Sequence, residues 1–253
     1  MYINKVKEKL RNHEMVIGLT MHEADRDIVE MAGIVGFDFV MIDTEHGPLS
    51  ISEIENLILT AERRGLVPLV RVSEKSQKEI LRLLEIGAMG LIFPDCEDAD
   101  EVRRLISYSK YYPEGNRSLS CMRAADYAIN VNRREYRQMA NAQLVIIPQL
   151  ESPEAVSHVE EIAQIDGVDM ISFGPNDYSQ AIGHIDELTH PEVIEAHKKI
   201  RDASIKYGLP IGGAGNSVEA LMNAKKMGAS MFMVQTTSMI IKLFKEFVEE
   251  KNG

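Results

Sequence analysis

Residues 37–72 read FDFVMIDTEHGPLSISEIENLILTAERRGLVPLVRV. The stretch opens on one apolar run, FDFVMID (37–43), and closes on another, VPLVRV (67–72). Neither alternates strictly between apolar and polar side chains, which marks strands buried on both faces of a parallel sheet. Between them, 52–64 carries a helical pattern that opens at Ser52, ahead of Glu53 and Glu55, and stops at Gly65. The unit is strand, helix, strand.

The same unit recurs along the whole chain. Further strands are expected at 15–20, 89–93, 144–150, 169–173, 209–213 and 230–235, and further helices near 25–33, 76–86, 97–107, 153–163, 191–206, 217–227 and 237–250. Ser76 and Glu79 have capping-box spacing, Pro153 and Pro191 suit a first helical turn, and Gly87, Gly208 and Gly228 read as helix stops. Eight strands alternating with eight helices over residues 1–253 predict a single-domain α/β (β/α)8 TIM barrel. A doubly wound open sheet is the competitor, but the first strand ends in GLTMHEAD without a Gly-rich turn. Residues 1–13 read as an extra helix that either closes the barrel bottom or is a solvated leader. The long connection 108–142 predicts a short helix near 132–140 and part of a site lip.

A barrel carries its chemistry at the C-terminal ends of its strands. There the sequence sets Asp43-Thr44-Glu45-His46 after strand two, Arg71 in strand three, Gln149 and Glu151 after strand five, and Gly174-Pro175-Asn176-Asp177 after strand six. Glu151 and Asp177 form the best metal pair: carboxylates from separate strands with no cysteine nearby suit a hard divalent cation, Mg²⁺ or Mn²⁺, with Co²⁺ a further candidate. The alternative is that Glu151 caps the helix at Pro153 and Asp177 caps a turn. Arg71 either holds a substrate keto oxygen or makes a structural salt bridge to Asp43 or Glu45, and the two roles are compatible. Asp43 beside His46 would fix an imidazole tautomer and make His46 a proton shuttle. Residues 174–177 form either an anion nest or a plain turn. The same choice applies to Gly212-Gly213-Ala214-Gly215-Asn216 with Thr236-Thr237-Ser238, where barrels often bind phosphate. No strand holds a lysine and only Lys75 lies near a strand end, which argues for a metal rather than a Schiff base as electron sink. The remaining histidines read as surface or loop residues, with His22 an exception because it follows strand one.

Acidic residues outnumber basic ones 39 to 28, a formal charge of −11 that disfavours nucleic acid and anionic membrane as partners. The two cysteines, Cys96 and Cys121, read as thiols of a reducing compartment. With neither a secretory signal nor a span-length apolar stretch, the expected location is the cytoplasm.

These residues resemble the HpcH/HpaI aldolase/citrate lyase family, in the branch of 4-hydroxy-2-oxoheptanedioate, 2-dehydro-3-deoxyglucarate and 2-keto-3-deoxy-L-rhamnonate aldolases. The matching stretches are GFDFVMIDTEHGP (36–48), VPLVRV (67–72), ILRLLEIGAMGLIFP (80–94), YYPEGNRS (111–118), IIPQLESPEAV (146–156), GVDMISFGPNDYS (167–179) and HPEV (190–193). The resemblance implies a class II pyruvate aldolase, cleaving a 4-hydroxy-2-oxo acid reversibly to pyruvate and an aldehyde. It implies Glu151 and Asp177 as metal ligands, Arg71 as stabiliser of the enolate, His46 with Asp43 as an acid/base dyad, and Gln149 in the same pocket. It also implies a homo-hexamer that exchanges its last helix, here 237–250. Glu85, Ser118 and Tyr178 depart from the family pattern and bear on subunit support and substrate choice. Two other readings compete: a citramalyl- or malyl-CoA-type lyase using Arg117 and Arg123, and a barrel that binds a small carboxylate without turnover.

Overall fold

The computed structural model describes residues 3–129 and 131–252. Residues 1 and 2 of the leader segment, residue 130 of the long connection and residue 253 lie outside the described residues. Eight strands run β1 (Val16–Met21), β2 (Phe39–Asp43), β3 (Val67–Arg71), β4 (Gly90–Phe93), β5 (Val145–Leu150), β6 (Ser172–Phe173), β7 (Gly212–Gly215) and β8 (Met231–Gln235). Every strand pair is parallel, in the order β6-β5-β4-β3-β2-β1-β8-β7. A parallel bridge between Ile171 and Ile211 joins the two ends and rounds the sheet into a barrel.

Helices α1 (Lys5–Arg11), α2 (Arg26–Val35), α3 (Ile51–Arg63), α4 (Gln77–Glu85), α5 (Ala99–Ser109) and α6 (Arg133–Gln143) precede β5. They are followed by α7 (Pro153–Ser157), α8 (Val159–Ile162), α9 (Pro175–Ala181), α10 (Pro191–Lys206), α11 (Val218–Lys226) and α12 (Thr236–Asn252). The start of α3 differs from expectation. Ser50, not Ser52, is the cap: its hydroxyl accepts from the Glu53 N–H and the Glu53 carboxylate accepts from the Ser50 N–H. A capping box needs that three-residue spacing, and Ser52 already lies inside the first turn. The expected stops hold, since Gly65, Gly87, Gly208 and Gly228 all take positive φ.

Two separate cores show which side chains face inward. One lies between the strands and the outer helices and includes Val40, Ile42, Val70, Leu57 and Leu83. The other fills the barrel and includes Val16, Phe39, Met41, Val67, Leu69, Ile92, Val145, Ile147, Met170 and Met231. Each fully buried side chain of this size contributes about 1.5–3 kcal/mol. Val6 and Leu10 of α1 join the inner core, so the leader helix closes the barrel bottom rather than lying in solvent. Asn4 donates to the Met89 and Gln143 carbonyls, and Lys7 bonds the Leu144 carbonyl and pairs with Asp169 at 3.0 Å, which pins the plug.

The β6–β7 side departs most from expectation. The strand expected at 169–173 shortens to two residues, and the one expected at 209–213 shifts to Gly212–Gly215. The glycines read as a loop are therefore the strand itself. A Cβ on Gly213 or Gly215 would stand 2.9 or 2.7 Å from the Cβ of Ala224 or Ala220, so these glycines let α11 lie against the sheet.

Candidate active site at the C-terminal ends of the strands

Side chains alternate in and out along a strand, so the inner core predicts which residue each strand presents at its top. In β2 the inward row Phe39, Met41 continues to Asp43, and in β3 the row Val67, Leu69 continues to Arg71. In β5 the row Val145, Ile147 continues to Gln149 and Glu151, and in β1 the row through Val16 continues to Thr20 and His22. The apolar filling stops where these rows turn polar, and a polar layer caps the barrel.

Register decides which of these groups meet. Asp43 is the direct partner of Arg71 across β2 and β3. Arg71 donates from Nε to Asp43 Oδ1 (2.9 Å) and from Nη2 to Oδ2 (2.5 Å). Asp43 is fully buried, and its Oδ1 also accepts from the backbone N–H groups of Glu45 and His46. Burial pushes the Asp43 carboxyl up, but the hydrogen bonds and charge of Arg71 outweigh it and hold the group below its ordinary value. Nη1 of Arg71 makes no hydrogen bond among the described residues.

Beyond Arg71 stand three carboxylates. Glu45, Asp95 and Glu151 each offer an oxygen within 4.8 Å of the others. Glu151 is buried, with Oε2 accepting from the Asp95 N–H (2.8 Å) and Oε1 accepting from Gln149 Nε2 (2.6 Å). Burial pushes its carboxyl up to about 7, against the lowering effect of those two donors. Glu45 is raised in the same way by burial, although Arg71 opposes the shift. Glu45 Oε2 lies 3.1 Å from Arg71 Nε, but that N–H is spent on Asp43, so the oxygen is buried without a hydrogen-bond donor. Three crowded carboxylates with one oxygen unsatisfied form a hard all-oxygen donor set, and such a set fits a divalent cation such as Mg²⁺ or Mn²⁺.

Asp95 was not foreseen. It follows β4 as the other site residues follow their strands, and its left-handed backbone (φ 47) is the strained conformation that aims its N–H at Glu151. Glu45 is expected from the sequence as part of the polar cluster ending strand two and as a salt-bridge partner of Arg71, and the structure adds it to the carboxylate group around Glu151. The structural alternative for Arg71 holds too, with both Asp43 and Glu45 as partners.

The other expected residues fall as follows. The turn 174–177 is the start of α9, with Gly174 as its N-cap, Pro175 first in the helix and Asn176 and Asp177 exposed in the first turn. The Gly174 N–H is already bonded to the Leu150 carbonyl. A Cβ on Gly174 would stand 2.0 Å from Glu151 Oε1, so glycine here makes room for that carboxylate. The His46 ring does not sit on Asp43: it is 57% exposed, and its nearest acid is Glu45 Oε2 at 3.9 Å. The imidazole on Asp43 is that of His22, Nε2 to Oδ2 at 2.9 Å. Lys75 lies at the lip, bonded to the Asp95 carbonyl and paired with Glu101, which leaves it a solvent-side cation. Tyr178 is buried edge-on against Phe173. Arg117 and Arg123 do not reach this mouth within the chain. They line a separate cavity of about 330 Å³ with Gly87, Met89 and Leu144, near the N-terminal ends of β4 and β5. Arg123 is held there by Glu62 and the Ile86 carbonyl, and Arg117 lies over the Tyr111 ring.

Comparison with known proteins bears on the chain's family. The chain is 33% identical over 226 residues to a 2-keto-3-deoxy-L-rhamnonate aldolase of Escherichia coli, a match covering 88% of this chain and 81% of the relative. It is 30% identical over 223 residues to a 2-dehydro-3,6-dideoxy-6-sulfogluconate aldolase of Pseudomonas putida, covering 87% and 85%. Its fold superposes with a TM-score of 0.91 on the crystal structure of a family protein from Burkholderia cenocepacia, at 27% identity and 99% and 100% coverage. With residues 17–232 matching the family's own model, the chain belongs to the HpcH/HpaI aldolase/citrate lyase family.

Proposed function

We propose that this protein is a class II, divalent-metal-dependent pyruvate aldolase, a carbon–carbon lyase that cleaves a 4-hydroxy-2-oxo acid reversibly into pyruvate and an aldehyde. The observation that carries the reading is the buried Glu151 facing Glu45 and Asp95, next to an Arg71 whose Nη1 is not spent on Asp43, at the mouth where barrels keep their chemistry. The aldolases named above support the same class.

Glu151 and Asp177 would hold the cation, with Glu45 and Asp95 beside Glu151 as further oxygen donors. Mg²⁺ or Mn²⁺ suits them, and Co²⁺ is a further candidate. Bound there, the ion would supply Lewis-acid polarisation of the 2-oxo acid. The chain's own residues do the rest. Gln149 orients Glu151, and Gly174, Pro175 and Asn176 border the substrate beside it. Arg71 Nη1 donates to the keto oxygen as negative charge develops there, and Asp43 keeps the guanidinium aimed. His46 at the lip takes the proton of the C4 hydroxyl. The C3–C4 electron pair passes to the 2-oxo fragment, the aldehyde leaves, and C3 takes a proton to give pyruvate.

The assembly proposed is a homo-hexamer that exchanges its last helix. The α12 helix follows β8 without a connecting loop, and its Ile241, Leu243, Phe244, Phe247 and Val248 are exposed in the single chain. A stripe of that size needs cover. Among the described residues no helix is long and apolar enough to cross a membrane. With the −11 charge this supports a cytoplasmic enzyme that works on small molecules without nucleic acid or membrane.

The test is pyruvate release from a panel of 4-hydroxy-2-oxo acids in the presence of Mg²⁺ or Mn²⁺. The expected result is cleavage of at least one, loss of activity with EDTA, and recovery when metal is returned. Glu151→Gln should lower kcat by about 10²–10³-fold with the fold intact. A chain that releases pyruvate equally well in EDTA refutes the metal role, and one that releases none from the panel refutes the reading.

A further inference from the structure

His22 ends the inward row of β1, as Asp43 ends that of β2 and Arg71 that of β3. Met21 pairs with Ile42 and Asp43 pairs with Arg71, so the three residues form one transverse row across adjacent strands. His22 Nε2 lies 2.9 Å from Asp43 Oδ2. Asp43 is ion-paired with Arg71 through both oxygens and carries no proton to share. The hydrogen between His22 and Asp43 therefore sits on Nε2, and the ring acts as donor.

The carboxylate depends on that donor unequally. Oδ1 is held by Arg71 Nε and by two backbone N–H groups, which are fixed by the turn itself. Among the described residues, Oδ2 is held only by Arg71 Nη2 and His22. Removing the imidazole leaves Oδ2 with a single partner, on the group whose aim it is meant to control. His22 is itself well anchored. Gly47 packs against its backbone so closely that a Cβ there would stand 2.8 Å from the His22 carbonyl oxygen. Glu23 accepts from Thr237 (2.9 Å) at the start of α12, which ties this end of β1 to the C-terminal helix.

We infer that His22 is a positioning residue of the site: the imidazole oriented on Asp43 is His22, and through Asp43 it fixes the guanidinium of Arg71. The inference deepens the aldolase reading, and its kinetic arm rests on that reading. An arginine that meets charge developing in the transition state affects kcat more than substrate binding.

The experiment combines crystal structures and kinetics of the full-length protein, His22→Ala, His22→Gln and His46→Ala. Glutamine keeps an N–H donor within reach of Asp43. The expected structures show His22 on Asp43 in the wild type, Arg71 displaced in His22→Ala, and Arg71 in place in His22→Gln and His46→Ala. The expected kinetics are a kcat lowered about 10–100-fold in His22→Ala with KM within about twofold, and most of the loss recovered in His22→Gln. A wild-type crystal structure with His46 on Asp43, an unmoved Arg71 in His22→Ala, or a His22→Gln no better than His22→Ala overturns the inference. The structural arm reads out even if no cleavage is detected, so failure of the aldolase reading and failure of this inference are distinguishable. If His22→Ala does not fold, the wild-type and His22→Gln structures still decide.

Discussion

The wall from β1 to β5 and the wall from β6 to β8 handle burial in different ways. In the first, strands of four to six residues pair along their length, and α3, α4 and α5 each bury three or more apolar side chains against them. In the second, β6 has two residues, closure rests on the Ile171–Ile211 bridge, α11 buries no residue, and α12 leaves its phenylalanines exposed. The polar cluster follows the same division. His22, Asp43, Glu45, Arg71, Asp95 and Glu151 all come from the self-sufficient side, where register and core hold them, while Asp177 stands on the thinner side. A site anchored on the better-packed wall is organised within the single chain.

Stability measurements can break this contrast. Leu57→Ala empties a fully buried position between α3 and the sheet and is expected to cost about 2–5 kcal/mol in denaturant unfolding. A cost below 1 kcal/mol would mean that the first wall is loosely packed around Leu57.

Assembly comes next. Phe244→Asp with Phe247→Asp should reduce the oligomer to smaller species in light scattering, because each side chain is worth about 1.5–3 kcal/mol if covered. The two are 63% and 71% exposed in the single chain. An unchanged mass would show that α12 is not an interface.

Acid provides a finer probe of the first wall. The Asp43 carboxyl titrates below its ordinary 3.8 in the folded chain, so it binds fewer protons there than when unfolded. Its contribution is therefore present above 3.8 and lost as pH falls through the lower folded value. Thermal unfolding between pH 6 and 3 should fall more steeply in the wild type than in Asp43→Asn, with the difference concentrated below about pH 4. Parallel curves would show that the Asp43–Arg71 pair adds no acid sensitivity.

The smallest effect is expected on the second wall. Met222 of α11 is half-exposed, and Met222→Ala should change monomer stability by no more than about 0.5 kcal/mol. A larger loss that appears only at concentrations where the oligomer forms would extend the interface from α12 to α11.

Much of this molecule is legible from local sequence. Helix α10 begins and ends where the pattern places it, Ser76 and the glycine stops mark others, and the apolar runs mark most strands, because these signals depend on neighbours a few residues away. The strand-end rule also located Asp43, Arg71, Gln149 and Glu151, and extended by one strand it would have located Asp95. The β6–β7 side was misread because its glycines look like a loop until Ala220 and Ala224 are seen against them. The Asp43–His46 spacing suggested a dyad, but the turn after β2 sends that ring outward.

What the amino-acid order determined by itself was the alternation of strands and helices, and the change from apolar to polar at the strand tops. Only the tertiary structure decided which polar groups meet. Side chains on a strand repeat every two residues, so the pairing register between strands selects the partner of each. One step of register separates a His22–Asp43–Arg71 row from none at all, and no single strand's sequence records that step.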